Sequence, residues 1–215
     1  MKIRNTSLAR YTMLLLGAVF FIGGCATTGL DRAEKTSNSI RDVDSEIRKM
    51  IVEIDATTAS LEALIVPGKT DLKEPFDSYS KNLKNLDKEG TKVLKRMDEM
   101  KASSTAYFSE WEKQGDVFTN AEIRELSEQR RSKLAETYAR VPAAGAGIRG
   151  SYNAYITDLK EIQKYLSNDL TPKGIEGITP VAQKSVQEAE ALKSSLGPVI
   201  TALDEIKAEL YSGKK

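Results

Sequence analysis

Residues 40–64 read IRDVDSEIRKMIVEIDATTASLEAL. Ile40, Ile47, Ile54 and Leu61 recur at a seven-residue period, and Val43, Met50 and Leu64 hold a second register that is interrupted only at Thr57. Apolar residues at alternating spacings of three and four define a helix that buries one stripe along its length against other helices. Pro67-Gly68 ends it, because proline has no amide donor and glycine accepts a left-handed turn. The stretch therefore decides the class: all-α, with long helices packed side by side.

Outward from that stretch the same period continues. Phe76, Tyr79, Leu83, Leu86, Val93, Met97, Met100, Tyr107 and Trp111 mark a second helix from about Lys73 to Gln114. Gly90 and Ser104 lie on its stripe, where a small side chain lets a neighbour come close. Thr119-Asn120-Ala121-Glu122 has the form of a capping box, with Thr119 as cap and Glu122 reaching back. A third helix follows, its stripe running from Ile123 and Leu126 through Leu134, Tyr138, Val141, Ile148, Tyr152, Ile156, Leu159 and Ile162 to Leu166. Pro142 removes a donor and crowds the carbonyl of Tyr138, so a kink or break is expected there. After LTPKGIEGITP (170–180), Thr179 as cap and Pro180 at the first helical position predict a last helix. Its seam is Leu192, Leu196, Val199, Leu203, Ile206 and Leu210, with a second bend expected at Gly197-Pro198. The expected architecture is an elongated antiparallel up-down four-helix bundle with coiled-coil-like heptad seams, its third helix kinked near Pro142. Such a rod is roughly 50 to 60 Å long.

The amino terminus carries an address. Lys2, Arg4 and Arg10 precede a short apolar run, and Ile22-Gly23-Gly24 leads into Cys25, the single cysteine of the chain. Basic residues, a short apolar stretch and small residues in that order form an export signal. The run from Tyr11 to Gly24 is shorter than the roughly 20 apolar residues of a spanning helix. Ile22-Gly23-Gly24-Cys25 resembles a bacterial lipobox, which implies cleavage between Gly24 and Cys25 and a diacylglyceryl thioether on the Cys25 sulfur. Two or three acyl chains hold a protein to a bilayer almost irreversibly. Ala26 in place of aspartate implies sorting to the outer membrane. The alternative is an ordinary secretory signal that leaves Cys25 a free thiol. The expected division is a signal peptide over 1–24, a lipidated tether over 25–32, one helical-bundle domain over 33–211 and a frayed tail over 212–215.

Composition excludes more than it proves. The chain holds 32 basic and 31 acidic residues and no histidine. Without the three basic residues of the leader the net charge is −2, with both signs interspersed, so no nucleic-acid partner is expected. Lacking histidine, the chain has no Ser-His-Asp or Cys-His nucleophile, no His-rich zinc site and no Glu-x-x-His di-iron pattern. No catalytic residue, metal or cofactor is expected.

GAGIRG (145–150) matches the G-x-G-x-x-G of dinucleotide-binding loops, which works only between a buried strand and a helix. The preceding residues read as helix, so these glycines are expected to form a joint. Trp111, Arg130 and Tyr138 are the candidate interaction or ligand residues. Arg130 falls where the stripe calls for a hydrophobe, as a paired arginine at a pocket or, more commonly, one snorkelling from the seam's edge. Trp111, Tyr107, Phe108, Tyr138, Tyr152 and Tyr155 form either an aromatic box or, at helical spacing, core. Lys215 offers a terminal amine like that by which the small murein lipoprotein of enteric bacteria joins peptidoglycan. A charged tail is its simpler reading.

AYFSEWEKQ (106–114), NAEIRELSEQRRSKLAETY (120–138) and YLSNDL (165–170) together resemble an uncharacterised bacterial family, a domain of unknown function on helical envelope lipoproteins. The resemblance spans about Lys73 to Leu210. It implies an elongated helical fold and an envelope location, and it supplies no activity. The expected function is a non-enzymatic, lipid-anchored interaction or structural protein at the outer membrane. Its bundle faces the periplasm, bound to the membrane through the N-terminal lipid and to an envelope protein partner. The alternative is a periplasmic carrier that opens at the Pro142 joint around a lipid or other apolar ligand.

Overall fold

The computed structural model describes residues 29–115 and 117–211, and every element among them is helical. In chain order these are α1 (Gly29–Leu64), α2 (Lys73–Gly115), α3 (Ala121–Ala144), α4 (Ile148–Asn168) and α5 (Pro172–Tyr211). The signal segment, Gly24, Cys25, the first residues of the tether and the tail with Lys215 lie outside the described residues.

The stripe of α1 does what its spacing predicts. Ile40, Val43, Ile47, Met50, Ile54, Leu61 and Leu64 are all buried, and Thr57 joins them by donating its hydroxyl to the carbonyl of Glu53 at 2.7 Å. α1 packs on α2 and α5, while α3 and α4 both lie between α2 and α5. Cross-helix pairs give the directions. Between α1 and α2 they run from Arg32–Gln114 through Glu46–Lys92 to Ala56–Asn82. Between α1 and α5 they run from Asp44–Lys207 to Asp55–Lys193. Trp111–Ser127, Asp98–Arg149 and Tyr79–Leu159 order α2 against α3 and α4. In each case one helix number rises as its partner falls, so neighbours are antiparallel.

Four expectations are corrected. The helix begins at Gly29, inside the expected 25–32 tether, with Asp31 placing negative charge in its first turn. The cap of α3 is Asn120, not Thr119: its side chain accepts from the amides of Glu122 and Ile123 at 2.9 and 3.2 Å. The third helix is two helices, because α3 runs through Pro142 to Ala144 and the break comes at Gly145–Gly147, where Gly147 has φ +87°. The proline costs one hydrogen bond, whereas the left-handed glycine interrupts the helical backbone. Finally, α5 starts at Pro172, not Pro180. The Thr171 hydroxyl accepts from the Gly174 amide at 3.1 Å, whereas Thr179 turns its hydroxyl back to the carbonyl of Ile175. Pro180 and Pro198 both sit inside α5.

At Gly90 α2 and α4 approach closely. A Cβ built there would lie 2.2 Å from the Tyr152 ring, whose hydroxyl donates to the carbonyls of Leu86 and Asp87. Gly90→Ala therefore lowers stability by about 1–3 kcal/mol despite alanine's better helix propensity. Gly150→Ala, with nothing within 4 Å of the added carbon, raises it by about 0.5–1 kcal/mol. Urea unfolding followed by circular dichroism distinguishes the two signs.

α1 also buries a charge. Glu46, 7% exposed, meets Lys92 of α2 at 2.7 Å and Lys49 at 3.2 Å. Its hydrogen bond with Glu89, then those with Lys92 and Lys49, hold its carboxyl at about 2 against the opposing effect of burial. Because the folded value lies below the ordinary 4.5, the stabilisation is complete above that value and is lost as pH falls towards 2. Wild type loses on the order of 2 kcal/mol more than Glu46→Gln between pH 5 and pH 2, measured by urea midpoints across that range.

Candidate functional site

At one end of the bundle the first turns of α1, the last turns of α2, the first half of α3 and the end of α5 converge. The stripe of α2 finishes in aromatic residues, and helical spacing sets them edge to face. Ring centroids of Tyr107 and Trp111 are 5.6 Å apart, those of Tyr107 and Phe108 5.1 Å, and Phe108 meets Tyr138 of α3 at 5.2 Å, all near perpendicular. The Trp111 indole N–H donates to the Ser127 hydroxyl at 3.0 Å. These four rings form a continuous chain from the end of the bundle inward. Tyr152 and Tyr155 are buried on α4 away from it, with Tyr155 beside Thr58 of α1.

Arg130 sits at the seam's edge and clamps the end of α5. One guanidinium nitrogen donates to the Glu209 carboxylate and another to the Glu209 carbonyl at 2.7 Å. Lys133 adds a second cation at 3.4 Å. Burial works to raise the Glu209 carboxyl, but Arg130 and Lys133 prevail and hold it below the usual carboxylate range. Burial also raises the Tyr107 hydroxyl, opposed by the positive charges of Arg130 and Arg32. The structure thus places Trp111, Arg130 and Tyr138 at the same end, with Trp111 and Tyr138 joined through Tyr107 and Phe108.

The aromatic chain ends at a cavity of about 370 Å³ between α2 and α3. Leu94, Met97, Met100, Phe108, Tyr138 and Val141 give it apolar walls, and Pro142 and Gly145 of the joint close one side. Asp98, Lys101 and Arg149 stand at its polar rim, where Arg149 and Asp98 pair at 2.8 Å. The sequence marks Met97 and Met100 only as seam residues. Nothing in the spacing signals that the helix break leaves their inner faces incompletely covered.

Among the described residues no group of acidic, histidine or cysteine side chains is arranged to hold a metal ion, and no helix is long and apolar enough to cross a membrane. GAGIRG joins two helices, so its glycines lack the strand that a phosphate loop requires.

Residues 29–208 match the family described as "Protein of unknown function (DUF2959)". The chain belongs to the DUF2959 family. The match covers α1 through almost all of α5, so the helical bundle as a whole is the DUF2959 unit. No curated protein and no solved structure matches the chain.

Tyr138→Ala, which removes a ring 4% exposed that Phe108 packs against, lowers stability by about 3 kcal/mol. Arg130→Ala lowers it by less than about 1 kcal/mol, because the pair is partly solvated and Lys133 still faces Glu209. Paired urea midpoints test the ranking.

Proposed function

We propose that this DUF2959 protein is a non-enzymatic, lipid-anchored interaction or structural protein of the bacterial envelope, held at the outer membrane with its bundle in the periplasm. The observation that carries the reading is the lipobox-like Ile22-Gly23-Gly24-Cys25, set four residues ahead of the start of α1 at Gly29. In this reading the antiparallel neighbours form an up-down-up-down bundle with heptad seams, α3 and α4 together making its third arm. Helices of 36, 43 and 40 residues give a rod about 55 to 65 Å long at 1.5 Å per residue. Its long charged faces suit contact with an envelope protein partner.

A second reading, a carrier of an apolar ligand, draws support from the cavity beside Pro142 and Gly145. About 370 Å³ lies within the size range of small-molecule sites, and apolar walls with a few polar rim groups are their usual chemistry.

Metabolic labelling with a palmitate analogue, membrane fractionation and intact mass test the first reading. Wild type carries lipid in the outer membrane fraction and Cys25→Ser carries none; an unmodified wild-type mass overturns it. Native mass spectrometry of the protein purified from its own cells tests the second, which requires a stoichiometric bound lipid that Met97→Trp, filling the cavity, displaces.

A further inference from the structure

The same end of the bundle carries an apolar surface that the core does not use. Leu30 is 74% exposed, Val117 74%, Leu126 60%, Ile123 47% and Phe118 36%. Among the described residues these are five of the nine large apolar side chains that stand exposed, and they come from only two places, the first turn of α1 and the α2–α3 turn with the start of α3. Arg32–Gln114 draws those two places together, and Gly29, Arg32, Trp111 and Phe118 line one shallow cleft. The cluster is braced from behind. The Arg124 guanidinium donates to the Phe118 carbonyl at 2.6 and 3.2 Å, and Asn120 caps α3. The turn is thus fixed with its apolar side chains outward. Ile123 and Leu126 obey the helical period of the α3 stripe, yet the stripe is covered only from Leu134 onward.

We propose that this end of the bundle docks into the surface of the lipid bilayer, with Leu30, Val117, Phe118, Ile123 and Leu126 entering the boundary between headgroups and acyl chains. The inference rests on the lipid-anchor reading, which fixes the occupant. Only four peptide units separate Cys25 from Gly29, and at roughly 3.6 Å each they span no more than about 14 Å. A chain acylated at Cys25 brings this end to the headgroups and no other. Apolar side chains presented there gain by leaving water, as in interfacial helices, whereas on a freely exposed end they invite aggregation.

The test uses the full-length mature protein reconstituted in phosphatidylethanolamine–phosphatidylglycerol vesicles, with and without brominated acyl chains. Trp111 is the only tryptophan, so Trp111→Phe gives a silent background. Phe118→Trp then reports the tip, and Val52→Trp, at a position 64% exposed on α1, reports the shaft. The expected result is a blue shift and loss of most emission in brominated vesicles for the tip probe, with neither for the shaft probe. Equal quenching of the two overturns the inference in favour of a bundle lying flat. A blue shift without quenching overturns it in favour of a second copy of this chain on the patch. Intact mass on the same sample separates the two failures: lipid present without tip quenching overturns docking alone, whereas lipid absent overturns the anchor and docking with it. Circular dichroism of both variants and of Trp111→Phe alone checks that each keeps the fold.

Discussion

Burial of the α1 stripe between α2 and α5 is the constraint on which the other helices depend. The chain has one cysteine, so no intrachain disulfide can share the task, and stability comes from apolar surface removed from water along the whole length of each helix. A stripe of this kind requires partners as long as itself. α2 and α5 meet that requirement at 43 and 40 residues, and α3 and α4 follow one another along the face that α2 and α5 leave open. The register of this packing is set at a few contacts with no slack. Tyr152 against Gly90 is the tightest, because ring and backbone touch and the hydroxyl is satisfied by the carbonyls of the same turn.

Charged residues cover the outside and contribute in a different way. Pairs such as Lys73–Asp77 and Lys184–Glu188 lie within one helix with their lysines open to water, where solvent screening leaves them little effect on stability. Glu46–Lys92 and Asp44–Lys207 are more enclosed and bridge different helices. A helix slipped by one turn would take from these partly buried carboxylates their cross-helix cations and leave only Lys49 and Arg48 of α1 itself. Losing a partner in a half-buried site is costly, so the pairs favour one alignment among the several offsets that the apolar seams by themselves permit.

The seams are legible in the sequence because burial on a helix leaves a period, and α1, α2 and the body of α5 follow it residue by residue. Boundaries are less legible because two sites can carry the same signal. Thr171-Pro172 and Thr179-Pro180 are identical dipeptides, yet only Thr171 has its following amides free, since the turn from α4 lies directly before it. Gly174, in the first turn of α5, packs against that connection, for a Cβ there would strike the carbonyl of Asp169 at 2.2 Å. Thr119 and Asn120 compete for one cap in the same manner, and the Asn120 amide oxygen holds it. Of the candidate site, Trp111, Arg130 and Tyr138 are legible as departures from a plain seam. The cavity is not, because it arises from the three-dimensional offset between α3 and α4 that a left-handed Gly147 introduces.

The odd number of reversals in the chain has a geometric consequence. Arg32 meets Gln114 and Arg130 meets Glu209, so the start of α1 and the end of α5 share a pole, and Lys215 follows Tyr211 by only four residues. Its reach from that pole is at most about 14 Å. The opposite pole is built from the α1–α2 and α4–α5 turns, roughly a helix length of 55 Å or more away. The two poles are built differently: one joins the start of α1, the end of α2, the start of α3 and the end of α5, and the other is made of the α1–α2 and α4–α5 turns.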